Sequence, residues 1–323
     1  MNLAFAGFRH GHILALYDMA LRDTDISVVG CFEENTAERE AVQASKGINF
    51  NYSTYEEILA DANVEAVAIG DYYGKRGKMV IEALKSGKHV ICDKPICTSL
   101  EELDEIERLA EETGLKVACM LDLRYMPQVE TVKSLIAEGK IGEIVNVSFT
   151  GQHCLNYGSR PGWYFEEGKH GGTINDIAIH GVDLIRYITG KNLTKVNCAK
   201  TWNAFADKEP AFKDCGQFMA EMENISVMAD VSYAAPKCNA MLPTYWDFYF
   251  WGKAGMIHFQ LCESVIHLYA DGQETVLEGK PVGNRWLTDF RTEVRGEGLA
   301  DNTKQALLSQ RQVLLIQKEA DKC

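Results

Sequence analysis

The first 120 residues alternate short apolar runs with longer amphipathic segments. The apolar runs are NLAFAG, ISVVGCF, VEAVAIG, KHVICD and KVACM. Between them, apolar residues recur at helical spacing in HILALYDMALRD, NTAEREAVQAS, GKRGKMVIEALKSG and SLEELDEIERLAEETG. The last segment begins like a capped helix, with Ser99 as the N-cap and Glu102 three residues later. Buried strands alternating with helices predict βαβ units and a parallel sheet, so this half is an α/β domain.

The pattern changes after residue 120. RYMPQVETVKSLIAEGKIG predicts a helix closed by glycine, EIVNVSFTG predicts a strand, and GGTINDIAIHGVDLIRYITG predicts a second helix that ends at Gly190. Strands then dominate, as in KVNCAKTW, ISVMADVSYA, WDFYFWG, MIHFQL and SVIHLYA, before a final helix, TKQALLSQRQVLLIQKEA. Consecutive strands with short turns favour a mostly antiparallel sheet. We therefore expect two domains, residues 1–120 and an α+β domain of residues 121–323, with the last helix able to pack back on the first.

Charge and length restrict the class of partner. The chain has 323 residues, enough for two domains with a core each, and its 46 acidic and 33 basic residues give a formal net charge of -13. Such a charge repels nucleic acids and anionic membrane surfaces from most of the molecule. We expect a small-molecule partner.

Cysteine usage indicates the compartment. The ten cysteines are scattered without a C-x-x-C pair, and several lie inside apolar runs such as KVACM and HVICD. This pattern is typical of reduced, buried thiols rather than of a disulfide framework. The N-terminus has no basic segment before an apolar stretch, and no run approaches the length of a membrane span. These features predict a cytoplasmic protein.

A glycine turn follows the first predicted strand in FAGFRHGHI, residues 5–13. Gly7 would permit a tight turn and Gly11 falls at the start of the next helix, whose N-terminal amides could hold a pyrophosphate. The next strand ends in Glu33 and Glu34, where an acidic side chain would accept hydrogen bonds from an adenosine ribose. Two glycines at this spacing also occur by chance in a chain with 27 of them, and Glu33 could be a solvated strand end.

The same turn carries two histidines. His10 and His12 are two residues apart, a spacing that could hold a metal ion. No neighbouring cysteine or acidic residue in the sequence completes a ligand set. We expect no metal site here.

Six segments, in one order along nearly the whole chain, resemble the Gfo/Idh/MocA family of NAD(P)-dependent oxidoreductases. They are AGFRHGHI, YEEILADANVEAVAIG, ALKSGKHVICDKP, LRYMPQVETVKSLIAEGKIGEI, HGGTINDIAIHGVDLIRYITG and WLTDFRTEVRGE. The most specific sign is DKP followed at the family's distance by GGTxxDxxxHxxD. The resemblance implies an N-terminal Rossmann domain with a doubly wound parallel sheet. It also implies a C-terminal α+β domain with a large, open, mostly antiparallel sheet, through which homodimers or homotetramers form.

This chain departs from the family pattern at three places. Arg9 and His12 stand at the second and third glycines of the family's GxGxxG loop. The family's Thr-Pro-Asn, with a histidine shortly after it, is replaced by Asp-Tyr-Tyr at residues 71–73 followed by Arg76, and its Glu-Lys-Pro is Asp-Lys-Pro at residues 93–95. The cofactor-binding residues that the resemblance implies are Gly7, Phe8, Arg9, His10, Gly11, Glu33, Asp71, Tyr72, Arg76, Asp93, Lys94 and Pro95.

Cofactor choice depends on charge at the second strand's end. A carboxylate at Glu33 would repel the 2′-phosphate of NADP, which favours NAD. The Arg9 guanidinium could compensate for that repulsion. Arg9 could also replace the close backbone approach of a glycine with a charge aimed at the pyrophosphate.

Proton-transfer residues lie in two motifs. Asp176, His180 and Asp183 are spaced i, i+4 and i+7, so on an α-helix they would share one face. A histidine can take a hydroxyl proton, and Asp176 would orient and polarise the site. Such residues also occur as buried structural pairs. Lys94 follows a buried strand at its carboxyl edge, where its ammonium could stabilise an alkoxide, and Pro95 would fix the backbone direction, with a cis bond as one means.

The predicted reaction is therefore reversible oxidation of a secondary alcohol of a sugar, cyclitol or related polyol. Lys94 and His180 would handle the hydroxyl proton, and either could be the principal base. Further candidates for substrate contacts are Asp122, Arg124, His153, Trp163 and Lys169, with Trp163 suited to a sugar face. Two alternatives stay open: an enzyme that retains NAD and uses transient oxidation for elimination or glycoside cleavage, and a non-catalytic nucleotide-binding regulator.

Overall fold

The structure is a computed structural model that describes residues 1–238, 241–283, 285–297 and 301–322. It divides into two compact units. Unit 1 contains residues 1–120, 168–171 and 285–310, and unit 2 contains residues 121–167, 172–284 and 311–323. Unit 1 thus contains two later segments besides residues 1–120. The division into domains of residues 1–120 and 121–323 stays a prediction.

Unit 1 is built on a parallel five-stranded sheet in the order β2-β1-β3-β4-β5. Its strands are β1 (Asn2–Ala6), β2 (Ser27–Phe32), β3 (Ala66–Ile69), β4 (His89–Cys92) and β5 (Val117–Cys119). All four residues of β3 are buried, as a central strand covered on both faces requires. The order reverses between β1 and β3, the switch point where nucleotides bind in open α/β sheets.

Helices connect these strands and add one late element. They are α1 (His12–Arg22), α2 (Thr36–Lys46), α3 (Tyr55–Ala60), α4 (Tyr73–Lys85), α5 (Leu100–Thr113) and α8 (Trp286–Val294). The predicted cap of α5 is confirmed, because the Ser99 side chain accepts a hydrogen bond from the Glu102 amide. The α/β fold predicted for this half is confirmed.

Unit 2 is built on an eight-stranded sheet in the order β13-β12-β11-β10-β6-β9-β8-β7. The strands are β6 (Ile144–Cys154), β7 (Leu193–Trp202), β8 (Cys215–Met222), β9 (Ile225–Ala235), β10 (Asp247–Gly252), β11 (Gly255–Gln260), β12 (Val265–Ala270) and β13 (Gln273–Glu278). Only β6 and β9 pair in parallel, so the predicted mostly antiparallel sheet is confirmed. The sequence patterns did not predict strands β8 and β13.

One face of this sheet carries the helices α6 (Pro127–Ala137) and α7 (Ile179–Thr189). Stacked rings of Phe149, Phe248 and Phe259 form the core beneath them, with centroids 5.5 and 5.1 Å apart. Gly181 is required in α7, because a Cβ there would come within 2.2 Å of the Phe149 ring. Because Gly181 has no Cβ, the first turn of α7, which carries His180, can lie close against the sheet.

The last helix, α9 (Asn302–Ala320), begins in unit 1, and its residues from 311 onward count with unit 2. In the part of the chain that the structure covers, no helix combines the length and apolarity needed to cross a membrane. Nine cysteines are described there as free thiols, five of them buried. Cys323 lies outside the described residues.

Candidate active site

The glycine turn after β1 has the backbone that the sequence predicts. Gly7 has a φ of 80°, a region that favours glycine, and a Cβ there would lie 2.6 Å from the Asp71 amide nitrogen. Gly11 is the N-cap residue of α1, and a Cβ at Gly11 would meet nothing within 4 Å. The open space beside Gly11 lies at a helix N-terminus, where amides bind anions.

Glu33 lies directly under this turn rather than in solvent. Its carboxylate accepts hydrogen bonds from the Phe8 amide at 2.5 Å and from the Asn35 amide at 2.7 Å. Burial raises the pKa of Glu33 to about 6, with a further rise from Asp71, although the two amides and Arg9 oppose it. The side chain is 1% exposed, so the alternative of a solvated strand end is wrong.

Arg76 connects the two loops at the carboxyl edge of the parallel sheet. This fully buried guanidinium donates to the carbonyl oxygens of Asp71 at 2.7 Å and Lys94 at 2.6 Å, and to the Asp93 carboxylate at 3.0 Å. It also lies over the Tyr73 ring, 4.6 Å from the centroid. Arg76 thus fixes the backbone around Lys94 from the position where the family has histidine. The Lys94–Pro95 bond is cis.

The Asp93 carboxylate contacts both histidines of the glycine turn. No pattern in the sequence predicts these contacts. Nδ1 of His10 lies 2.6 Å from one Asp93 oxygen, and Nδ1 of His12 lies 3.3 Å from the other. Burial opposes ionisation of Asp93, but His10 and then Arg76 hold its pKa well below the usual value. Burial lowers the pKa of His10 to about 4, against the attraction of Asp93, so the ring is neutral at pH 7.

These three side chains also form a possible metal-ligand set, with ligand atoms within 4.8 Å of one another. An acidic residue therefore does complete a set with the two histidines. That residue, Asp93, comes from a distant part of the chain. Against a metal ion, the Arg76 guanidinium already supplies a buried positive charge 3.0 Å from the same carboxylate. We interpret the cluster as a hydrogen-bonded network that holds the loop around Lys94.

Lys94 is a buried ammonium at the carboxyl end of β4. Its side chain is 5% exposed, and Nζ lies 5.9 Å from the Tyr73 ring centroid. Its amide donates to the Asp93 carboxylate at 2.7 Å. The backbone on both sides of Lys94 is thus fixed, which restricts where its ammonium can reach.

Lys169 belongs to unit 1, in the short segment 168–171. Its carbonyl accepts a hydrogen bond from the Gly74 amide at 2.8 Å, and its ammonium lies 5.1 Å from the Tyr72 ring centroid. The Arg9 guanidinium approaches the same ring at 5.9 Å. Gly74 and Tyr72, which contact Lys169 in this way, both belong to unit 1, and the role of Lys169 as a substrate contact stays a prediction.

In unit 2, a π-helical turn at Ile174–Ala178 precedes α7, so the predicted helix is not α-helical throughout. Asp176 lies on this wider turn, where Tyr233 donates its hydroxyl to the Asp176 carboxylate. Burial, and then Asp176, raise the pKa of Tyr233 well above its ordinary value. The π turn changes the helical register, which explains why Asp176 and His180 have different partners.

His180 is paired with Asp122. Nδ1 of His180 lies 3.2 Å from Asp122 Oδ1, and the His180 ring packs edge-on against Trp246 at 5.7 Å. A carboxylate at Nδ1 favours the tautomer whose Nε2 can accept a proton, and it stabilises the imidazolium that results. Asp122 thus lies at Nδ1 of this ring, and the role of Asp176 in orienting and polarising the site stays a prediction.

Two expected substrate contacts have structural partners. Arg124 forms a buried ion pair with Asp183, with Nε 2.7 Å from Oδ2, so its charge is balanced within unit 2. Trp163 is 2% exposed and stacks on Tyr164 at 4.1 Å. Little of the Trp163 ring is therefore accessible in this structure, and its contact with a sugar face stays a prediction.

His153 instead lies in an aromatic group that sequence patterns did not reveal. Its ring is 4.9 Å from Tyr245 and 5.6 Å from Trp246. Trp246 therefore contacts His153 as well as His180. Alternation within a strand can identify such rings as buried, but it cannot identify which histidine they contact.

Family profiles match most of the chain. The profile described as "Oxidoreductase family, NAD-binding Rossmann fold" covers residues 2–121. The profile described as "GFO/IDH/MocA C-terminal domain" covers residues 129–258. The two matches follow one another in the order that the sequence motifs predict.

Curated relatives match over part of their length. A 1,5-anhydro-D-fructose reductase of Ensifer adhaerens is 30% identical over 52% of this chain and 51% of its own length. A levoglucosan dehydrogenase of Pseudarthrobacter phenanthrenivorans is 29% identical over 50% of this chain and 43% of its own. The aligned part of the chain spans about half the length of the curated relatives it matches.

Solved structures match over nearly the whole chain. A putative oxidoreductase from Erwinia carotovora atroseptica has a TM-score of 0.89 at 22% identity, covering 99% of this chain and 98% of its own. A levoglucosan dehydrogenase in complex with NADH and levoglucosan has a TM-score of 0.82 at 19% identity, covering 100% and 97%. At these identities the likeness establishes the fold.

Proposed function

The chain belongs to the Gfo/Idh/MocA family of oxidoreductases with an NAD-binding Rossmann domain, and we propose that it moves hydride between a nicotinamide cofactor and a secondary alcohol of a sugar, cyclitol or related polyol. Two observations, one in each unit, support the proposal: the Lys94 side chain is buried in unit 1, and in unit 2 the His180 ring lies 3.2 Å from the Asp122 carboxylate. Relatives named for anhydrofructose, levoglucosan and a dihydrodiol support the alcohol class.

The chain's residues would act as follows. Bound nicotinamide supplies the hydride acceptor. Lys94 and His180 hold or accept the hydroxyl proton, Asp122 stabilises the charged imidazole, and Asp176 and Tyr233 orient the substrate as a hydrogen-bonded pair. Oxidation releases one proton and one hydride from the carbinol, so a base near the hydroxyl is required. Which of Lys94 and His180 is the first proton acceptor stays open.

The residues of unit 1 fit a dinucleotide. The turn at Gly7, the open N-terminus of α1 at Gly11 and the acid at Glu33 are the three parts that such a site needs. Arg9 and Lys169, which share the Tyr72 ring, would add positive charge for the pyrophosphate and replace the missing glycines. Lys169 is therefore proposed as a cofactor contact, whereas the sequence analysis placed it with the substrate.

The charge of the Glu33 carboxylate should determine the preference for NADH over NADPH. Its carboxylate would accept hydrogen bonds from the adenosine ribose and repel a 2′-phosphate, so NADH should have a lower dissociation constant than NADPH. Fluorescence titration of the whole chain with each reduced cofactor measures this. Tighter binding of NADPH would mean that Arg9 or Lys169 overrides the carboxylate.

Cofactor affinity should also depend on pH. Because the pKa of Glu33 is raised to about 6, the side chain is protonated below that pH and loses one acceptor for the ribose. We expect the dissociation constant for NADH to rise as pH falls from 7.5 through about 6, by up to about tenfold per unit below the pKa. The raised pKa of Glu33 also makes the free energy of unfolding depend on pH. The contribution of Glu33, about 2 kcal/mol, is complete below its unfolded-state pKa near 4.5 and is lost as the pH rises through 6.

Glu33→Gln is the control for that pH profile. It removes the titrating group while keeping an oxygen near the Phe8 amide. The inflection near pH 6 should disappear in titrations of the variant. An unchanged inflection would assign the titration to another group.

The outer face of the large sheet fits self-association. Large apolar side chains lie exposed on its strands: Met219, Met228, Trp251, Tyr269 and Val276. Exposed large apolar side chains on several strands of one sheet are a feature of interaction surfaces. We propose that a second copy covers it, and sedimentation should give a dimer or tetramer mass. A monomer mass at micromolar concentration would contradict this. A cytoplasmic location stays a prediction from the cysteine pattern.

Steady-state assay tests the proposed function. The protein, NAD⁺ and a panel of sugars and inositols should form NADH in proportion to the alcohol consumed. Product without net NADH would instead favour the enzyme that retains its cofactor. Binding of NADH without any reaction would favour the regulator.

A further inference from the structure

A cavity of about 360 Å³ opens on unit 2 beside the aromatic group of His153. Its apolar lining consists of Cys154, Ala235, Pro236, Met241, Leu242 and Tyr245. The volume lies near the lower end of the range for small-molecule pockets, about 300–1,000 Å³. It is suited to a substituent of about one ring.

Of the four polar side chains that line this cavity, Gln152 and Arg160 form hydrogen bonds within the protein, and the His153 ring packs against Tyr245. Gln152 donates to the Asp230 carbonyl at 3.1 Å and accepts from the Ser232 hydroxyl. Arg160 donates to the carbonyls of Leu155 at 2.7 Å and Cys154 at 2.6 Å. Its guanidinium also stacks over two tyrosine rings, at 4.5 and 4.8 Å. The interaction that the cavity offers a ligand is therefore chiefly apolar.

Two successive ring contacts connect the wall of this cavity to His180. Tyr245 lines the cavity. Tyr245 also packs against Trp246 at 6.1 Å, and Trp246 contacts His180. A substrate whose alcohol lies at His180 could thus reach the cavity with the next group along.

We propose that this cavity binds an apolar, ring-sized aglycone, so that the substrate is a glycoside carrying an aryl or cycloalkyl group rather than a free polyol. The inference rests on the proposed function, because it takes His180 as the site of the reacting alcohol. Burying one aromatic ring in an apolar pocket is worth at least about tenfold in affinity. A free sugar would leave the Met241 and Tyr245 walls in water.

Paired glycosides test the assignment at equilibrium. Titration calorimetry on the whole chain would compare methyl and phenyl glycosides of glucose, galactose and mannose, in both anomers. At least one phenyl member should bind about tenfold or more tightly than its methyl partner. Met241→Asp, which introduces a carboxylate into the cavity wall at a 56% exposed site, should abolish that ratio. Leu21→Asp, at a 60% exposed site on α1, is the matched control and should keep it.

Equal or undetectable binding of every pair, or a phenyl preference that persists in Met241→Asp, would overturn the assignment. NADH formation measured on the same compounds separates the two claims. Turnover without a phenyl preference would leave the oxidoreductase proposal standing and remove the aglycone pocket. A phenyl preference without turnover would support the aglycone pocket and contradict the oxidoreductase proposal.

Discussion

Replacing Lys94 by methionine is expected to lower kcat by about 10²–10⁴-fold, the range for loss of a positioned acid or base. Methionine keeps the length and apolar stem of the side chain but removes the ammonium. The backbone around the site is held by Arg76 and the Asp93 carboxylate, so the turn should survive the substitution. The dissociation constant for NADH, read by fluorescence, should therefore change little.

Lys88→Met is the matched control. Lys88 is also a buried lysine, but it precedes β4 where Lys94 follows it, and it donates to the carbonyls of Asp61 at 2.7 Å and Val64 at 2.8 Å. Losing those bonds should lower Tm while leaving kcat close to that of the parent. If Lys94→Met retained near-parent turnover, the proton-transfer role of this lysine would be excluded.

His180→Ala should lower kcat by a similar factor, about 10²–10⁴-fold, and Asp122→Asn should cause part of that loss. Asparagine cannot stabilise an imidazolium, so the pKa of His180 should fall. The limb of the pH profile of kcat/KM that reports this base should then move to lower pH. Because the two residues act as one unit, the double variant should be no worse than His180→Ala.

Asp271→Asn serves as the control for Asp122→Asn. Asp271 is exposed in a turn of the same unit with a φ of 53°, a conformation that asparagine tolerates. Its pH profile should match the parent. A purely structural role for Asp122 predicts lower activity with no shift of the profile, and additive losses in the double variant would also contradict the paired assignment.

The sequence predicts the framework of this protein well because the signals are local. The glycine turn at Gly7, the cap at Ser99 and the alternation of buried strands with helices depend on residues within a few positions of one another. Family motifs identify Lys94, Asp176 and His180 as candidates. The two-sheet architecture follows from the order of these segments.

Contacts between distant segments required the structure. Asp122 lies 58 positions before His180, and no spacing rule joins them. Asp93 reaches back to His10 and His12 because β4 and the turn after β1 end at the same edge of the sheet. Helical spacing alone placed Asp176 beside His180, since the π turn between them leaves no clear sign in the sequence.

Some residues changed roles for the same reason. The sequence gives no sign that Trp163 is covered, but in the structure Tyr164 stacks on its ring. Lys169 follows unit 2 strands in the chain but packs with Tyr72 of unit 1. Departures from the family pattern were better guides: Arg76, in place of histidine, proves to be the buried link between two loops.

The central claim is that hydride passes between the nicotinamide ring and a carbinol carbon of the substrate. Incubating the whole chain with NADH deuterated at both C4 positions and with the keto forms of the sugar and cyclitol panel tests it by mass spectrometry. The account predicts one deuterium on the new carbinol carbon per NADH consumed, formed about 10²–10⁴-fold more slowly in Lys94→Met. Consumption of NADH with only protium at that carbon would contradict it.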